Sequence, residues 1–357
     1  MTIEPDVTSV LPRQHRSERL LETVAPFARA VLVSHINPDP DALASMLGIQ
    51  ALLEHRDPDK PVVLTVDGII ARAENRSMVE LLNIPLVPIA NVVMGPETAI
   101  IMVDTQPRTG RRASEADTPH LVIDHHETGG DLAGVRFRDV RDQMGATSTM
   151  VTGYLLEQGV AVSSRLATAL LYGIESETSG YPREASSLDD GALVWLYPRA
   201  DKDLLARIRN PKLPQSHFAT FQHALVNAFL YRDVVVSWCG RVTQPDIIAE
   251  LADFFIRFDQ VNWALMVGLF DGQLKLSARV GHLNGHSGEI LRDVVNGMGS
   301  AGGHDKRAGG SIPLVDDRPE TIDNVLHTLR GRLLDKLSID EHHGRRLLEA
   351  CPVIQAP

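Results

Sequence analysis

The sequence predicts an α/β protein: an N-terminal parallel sheet with helices on both faces, a helical connector, and a smaller C-terminal α/β domain, with the active site expected in the cleft between them. Two observations carry that prediction. Through roughly the first two hundred residues, short apolar runs alternate with amphipathic stretches, the pattern of βαβ units. The pattern then restarts near Asp233, after a helical stretch broken at Pro198, Pro211 and Pro214. A chain of 357 residues with 43% hydrophobic and 23% charged residues suits about two globular domains.

In chain order, residues 30–34 read as a strand, followed by an acidic loop and a helix over 41–55. Strands are expected at 61–66, 99–103 and 121–123, and helices at 146–158 and 164–175. Gly145 precedes the first of these helices, and Ser163 or Ser164 suits the N-cap of the second. In the second half, strand 234–238, helix 246–258, strands 263–270 and 273–278, and helix 287–296 follow. A glycine-rich segment, 297–310, precedes a closing helix over 319–337. Domain bounds follow as 17–200 and 232–340, with 201–231 between them, and disorder is expected in residues 1–16 and in a 341–357 tail.

Four polar clusters stand at or near ends of elements in the first half. Residues 121–127, Leu-Val-Ile-Asp-His-His-Glu, put Asp124, His125 and His126 where a buried parallel strand meets its loop. Ligands bind at that edge of an open α/β sheet, and three adjacent titratable groups are costly there without a partner. His35-Ile-Asn-Pro-Asp39-Pro-Asp41 also follows a strand, and its X-Pro pairs force an extended, turning loop. The plain alternative is that Asp41 caps the next helix and the Asp-Pro pairs only make turns. Asp104 ends the run Ile-Ile-Met-Val, where a lone aspartate is ordinarily a turn residue. Gly173-Ile-Glu175-Ser-Glu177-Thr178 alone is the acidic end of a helix. Taken together, carboxylates and imidazoles without a thiolate suit two Mn²⁺ or Mg²⁺ ions better than Zn²⁺.

Composition narrows the partners. A formal charge of -11 excludes the broad basic face needed for long nucleic acid, though not a small anionic substrate. No run approaches the roughly 20 apolar residues of a membrane span, and the polar N-terminus has no secretory h-region. Cys239 and Cys351 have no metal-like spacing, which suits a reducing, cytoplasmic location.

These clusters resemble a known family. His35-x-Asn-Pro-Asp39-x-Asp41-Ala, Val103-Asp104-Thr105, Asp124-His125-His126 and Gly173-Ile174-x-x-Glu177-Thr178 fall in the order of the motifs of DHH phosphoesterases. Gly302-Gly303-His304-x-x-x-Ala308-Gly309-Gly310 is similar to the glycine signature of the DHH-associated C-terminal domain, with Arg279 in the strand before it. The resemblance runs from about residue 25 to 315. It is greatest to the short subgroup of oligoribonucleases (nano-RNases) that also dephosphorylate 3′-phosphoadenosine 5′-phosphate.

The resemblance implies a two-metal phosphodiesterase or phosphatase acting on short oligoribonucleotides or that nucleotide through metal-activated water. Manganese would be the preferred cofactor, with magnesium or cobalt as alternatives, and a homodimer is an expectation of the resemblance alone. His35 and Asp39 would hold one ion, Asp41 and His125 the other, and Asp104 would bridge them. His126 would contact the scissile phosphate, Asp124 would orient its neighbours, and Arg279, Gly302, Gly303, His304, Gly309 and Gly310 would bind substrate. The fourth motif departs from the family pattern, because Glu177 stands where an aspartate is usual. Its extra methylene reaches a metal only if the helix end or rotamer adjusts, and Glu175, two residues away, faces elsewhere. That departure motivates an alternative, a nucleotide-binding regulator with a degenerate site. A RecJ-like exonuclease fits the acidic balance poorly, and a manganese pyrophosphatase would lack the glycine signature.

Overall fold

The computed structural model describes residues 16–70, 72–107, 109, 118–127, 129–178, 185–282, 285–303, 305–340 and 344–348. They form two compact units that divide at Pro211 and Lys212.

The first unit runs α1 (Arg16–Val24), β1 (Arg29–Val33), α2 (Pro40–Arg56), β2 (Val62–Val66), α3 (Ala73–Leu81), β3 (Leu86–Pro88), β4 (Thr98–Val103), β5 (Leu121–Asp124), β6 (Phe137–Val140), α4 (Thr147–Glu157), α5 (Ser164–Thr178), α6 (Ser187–Leu196) and α7 (Lys202–Arg209). Its six strands are all parallel, in the order β3-β2-β1-β4-β5-β6. β4 and β5 are buried along their whole length, as expected of central parallel strands covered on both faces. The order reverses between β1 and β4, so their carboxyl ends diverge into loops at a topological switch point. Register sets the height of the site: Val33 pairs with Met102 and Val103 with Ile123. His35, Asp104 and Asp124 therefore leave the sheet along one edge.

Helix α2 lies in the core against α4 and α5, buried on nearly every side. Gly173 on α5 permits that convergence. A Cβ there would sit 2.6 Å from Ser148 Oγ and 3.0 Å from Ala44 Cβ. On the edge strand β6, the buried Asp139 accepts from Arg16, Arg141 and Tyr154, which ties α1 and α4 to the sheet.

The second unit runs α8 (Gln215–Val226), β7 (Ala228–Tyr231), β8 (Val234–Arg241), α9 (Asp246–Phe255), β9 (Trp263–Phe270), β10 (Gln273–Val280), α10 (Ser287–Val295), β11 (Ser300–Gly303), β12 (Arg307–Pro313), α11 (Pro319–Lys336) and β13 (Arg345–Arg346). The sheet order is β11-β12-β10-β9-β8-β7-β13, with β8–β9 the parallel pair. Alternate strand residues pack to opposite faces. Leu265 and Val267 join α10 and α11, whereas Ala264 and Met266 join α8 and α9. Buried Cys239 belongs to the latter core, and burial pushes its thiol pKa up to about 12.

Several elements differ from the sequence expectation. The glycine-rich segment, where the sequence predicts no strand, contributes two paired strands, with Gly302 opposite Gly309 and Ala301 opposite Gly310. Glycines carry no side-chain strand preference, so the ladder itself specifies this hairpin. Gly303 (φ +148°) has no room for a side chain, since a Cβ would lie 2.2 Å from Arg307 O. The expected connector, 201–231, is divided: α7 belongs to the first unit, while α8 and β7 belong to the second. Arg345 and Arg346 form an edge strand within the expected tail. His304, Cys351 and most of both termini lie outside the described residues. No helix among the described residues is long and apolar enough to cross a membrane.

Candidate metal centre

The site begins with the loop after β1. Asp39, not Asp41, is the N-cap of α2: its carboxylate accepts from Ala42 N at 3.0 Å, and Pro40 occupies the first helical turn. Asp41 is thereby freed to point into the core. It accepts from Thr147 N and Ser148 N, each at 2.7 Å, at the amino end of α4. A helix N-terminus with unsatisfied N–H groups suits a carboxylate.

Asp104 follows β4 in the left-handed region (φ 60°), a conformation that aspartate tolerates better than most residues. Its two oxygens face different partners. Oδ2 lies 3.6 Å from His35 Nε2, and Oδ1 lies 3.5 Å from His125 Nε2 and 3.9 Å from His126 Nδ1. Thr147 Oγ1 donates to Oδ1 at 2.8 Å and fixes the carboxylate. Asp39 Oδ2 lies 3.6 Å from His35 Nε2, and Asp41 Oδ2 lies 3.8 Å from His125 Nε2. Two donor groups result, His35–Asp39–Asp104 and Asp104–His125–His126, sharing Asp104.

These separations are too long for hydrogen bonds. They approach the roughly 3–3.5 Å between donors that each sit about 2.1 Å from a common cation. The remaining contacts set ring orientation. His35 Nδ1 contacts Ile36 O at 2.9 Å, and His125 Nδ1 contacts Met144 O at 3.1 Å, so each ring turns Nε2 inward. His126 Nδ1 is held by Asp124 Oδ1 at 2.8 Å, and no described residue pairs with its Nε2. The hydroxyl of Thr105, beside Asp104, is buried with no hydrogen-bond partner among the described residues.

Charge is the site's outstanding problem. Burial raises the pKa of Asp41 well above its ordinary 3.8, and Asp104, Asp39 and Glu177 push it further. At His35 burial favours the neutral ring, but Asp104 and Asp39 outweigh it and raise its pKa above 6.5. At Asp39 burial works against the charged form, yet His35 offsets it and holds the carboxyl below 3.8. Asp124 is likewise lowered, because His126 and Gln106 outweigh its burial. Several buried carboxylates share few cationic partners, which is the donor set a pair of divalent ions satisfies.

Glu177, one residue before the end of α5, is half-buried and its charge acts on Asp41; like Asp41, it stands outside both close donor groups. Glu175 pairs with Arg209 and is engaged elsewhere. In the second unit, Arg279 is buried and donates to Asp253, Ser277 Oγ and Ala278 O. The substrate binding expected of Arg279 would compete with the Asp253 pair. Gly302 and Gly303 lie on β11, and Gly309 and Gly310 on β12.

Sequence reasoning missed Gln106. Its Nε2 donates to Asp124 Oδ2 at 2.7 Å and to Glu127 O, while its Oε1 accepts from Gly129 N and Gly130 N. One buried amide thus fixes both Asp124 and the loop after His126. It also missed Thr147 and Ser148, whose signal was a helix start directly after Gly145.

Residues 29–174 match the DHH family, N-terminal domain, and residues 232–333 match the DHHA1 domain. The chain is 30% identical over 320 residues to an uncharacterized protein of Methanocaldococcus jannaschii, covering 88% of this chain and 65% of that one. It is 26% identical over 350 residues to the A-adding tRNA nucleotidyltransferase of Geobacter sulfurreducens, covering 92% of this chain and 36% of that protein. The chain therefore spans less than two thirds of the length of either relative. An exopolyphosphatase-related protein of Bacteroides fragilis shares the fold, with a TM-score of 0.69 at 17% identity over 90% of this chain and 97% of that one.

Proposed function

We propose, from a chain that carries a DHH domain followed by a DHHA1 domain, that this protein is a divalent-metal-dependent phosphoester hydrolase. The observation that carries the reading is Asp104, whose two oxygens face two separate donor groups. His35 and Asp39 would hold one ion, Asp41 and His125 the other, with Asp104 between and Glu177 beside Asp41. Bound there, such ions supply an acidified water and neutralise charge on a phosphate. Thr147 keeps Asp104 in place for this, and the paired N–H groups of α4 keep Asp41 in place. Asp124 orients His126, leaving Nε2 to meet the scissile phosphate as a donor when protonated.

The substrate class is a short oligoribonucleotide or 3′-phosphoadenosine 5′-phosphate, and manganese is the preferred ion. The -11 charge supports small anions over long strands. Arg279, Gly302, Gly303, Gly309 and Gly310 are the substrate-binding candidates of the second unit, and cytoplasmic location and self-pairing belong to the same proposal. Glu177, standing where the family pattern has an aspartate, favours one second reading, a nucleotide-binding regulator. A hydrolysis panel separates the two: dinucleotides, short RNA, 3′-phosphoadenosine 5′-phosphate and bis-p-nitrophenyl phosphate, each with Mn²⁺, Mg²⁺ or Co²⁺. Turnover of the short nucleotides with at least one ion is expected. Binding without turnover across the panel would leave the regulator.

A further inference from the structure

Within the second unit, α11 and strands β7–β9 line a half-open cavity of about 510 Å³. That is the size of a small-molecule site. Register builds its floor: Phe229 lies opposite Val236, Val236 opposite Leu265, and Trp238 opposite Val267. Leu265 and Val267 are buried, but Phe229, Val236 and Trp238 remain half-exposed. Aromatic area left open in a concavity is unlike scattered surface apolar residues.

The rim is basic. The Arg330 guanidinium carbon lies 6.0 Å from the Tyr231 ring centre, and its Nη2 is 2.7 Å from His327 Nδ1. Arg346, outside the lining, is paired with Phe229 across β13 and β7, lies 5.2 Å over its ring and donates to Val226 O. Asn227, Ser237, Asp323, Asn324, Leu326 and Leu329 complete the lining, Asp323 being its one acid. We propose that this cavity binds a nucleotide, its base laid on Phe229 and Trp238 and its phosphate directed to Arg330, His327 and Arg346. Stacking tolerates any base, and guanidinium groups recognise phosphate. An aliphatic ligand would leave Arg330 and His327 unused, and free phosphate would leave the aromatic floor unused. The site is independent of the metal centre and of the hydrolase reading.

The test titrates the full chain, in EDTA, with AMP, adenosine or inorganic phosphate, followed by calorimetry and tryptophan fluorescence. AMP should bind saturably and quench fluorescence, with adenosine and phosphate each weaker. Trp238→Phe should keep the AMP heat and lose most of the quench, and Arg330→Gln should weaken AMP about tenfold or more while sparing adenosine. If Arg330→Gln melts early, Arg346→Gln reads the same contact from an exposed edge strand. An Asp104→Ala background, which disables the carboxylate cluster, should leave AMP binding unchanged. The proposal is overturned by no saturable AMP heat, by AMP binding indifferent to the arginine variants and to Phe229→Ala, or by self-association that Trp238→Phe abolishes, which would assign the cavity to a second copy.

Discussion

Asp104 combines a left-handed backbone with a buried carboxylate split between two donor groups. Strain of this kind, about 1–3 kcal/mol, persists where the surroundings over-determine it. Asp104→Asn keeps a side chain that tolerates this backbone and removes one of the crowded buried charges, so the variant should melt no lower than wild type while hydrolysis falls about a thousandfold or more, ~4 kcal/mol of barrier. Wild-type-like rates would exclude the proposed chemistry. Gln106→Leu makes the opposite trade: it leaves Asp124 Oδ2, two glycine N–H groups and the Glu127 carbonyl without their Gln106 partner, and should destabilise the fold by about 1–3 kcal/mol in denaturant melts. Protonation gives a third expectation. His35 and Asp41 both have raised pKa values, so the metal-free fold holds protons that the unfolded chain releases. For His35 the stabilisation is complete below the ordinary 6.5 and is lost as pH rises through its raised value. For Asp41 stability falls as pH rises above 3.8. Metal-free protein should therefore lose melting temperature as pH climbs from 6.5, and manganese uptake should release protons. Calorimetry in buffers of different ionisation enthalpy reads that release, and uptake without it would contradict the assignment.

At the scale of elements, the candidate site depends on three helices meeting closely enough for the amino end of α4 to reach Asp41. Gly173→Ala tests this. The added methyl meets Ser148 Oγ and Ala44 Cβ, so a destabilisation of about 1–3 kcal/mol is expected despite the better helix propensity of alanine. Metal affinity should fall with it, as measured by titration; unchanged affinity and stability would show that the helices have room. The same scale explains what the sequence could and could not reveal. β1, β2, β4 and β5 announce themselves as apolar runs because both faces are buried. β3 is three residues long and β6 alternates as an edge strand, and neither carries enough pattern to stand out. β11 and β12 are hidden by glycines. The motif residues could be singled out because charge beside a strand end is unusual. Nothing in their spacing showed that Asp39 would cap α2 and release Asp41, because that depends on α4 arriving from a hundred residues away.

As a whole, the molecule gathers acidic groups where the strand order of the first sheet reverses. Each unit has its own apolar core, and the carboxylate–imidazole cluster lies entirely within the first. The net charge of -11 is thus partly local, concentrated where cations would cancel it. Manganese-loaded crystals measured at the manganese absorption edge test this most directly. The account predicts two anomalous peaks, one on each side of the Asp104 carboxylate, bounded by His35 and Asp39 on one side and by His125 and Asp41 on the other. A map with no peak there at saturating manganese, or with peaks only at surface carboxylates, would contradict it.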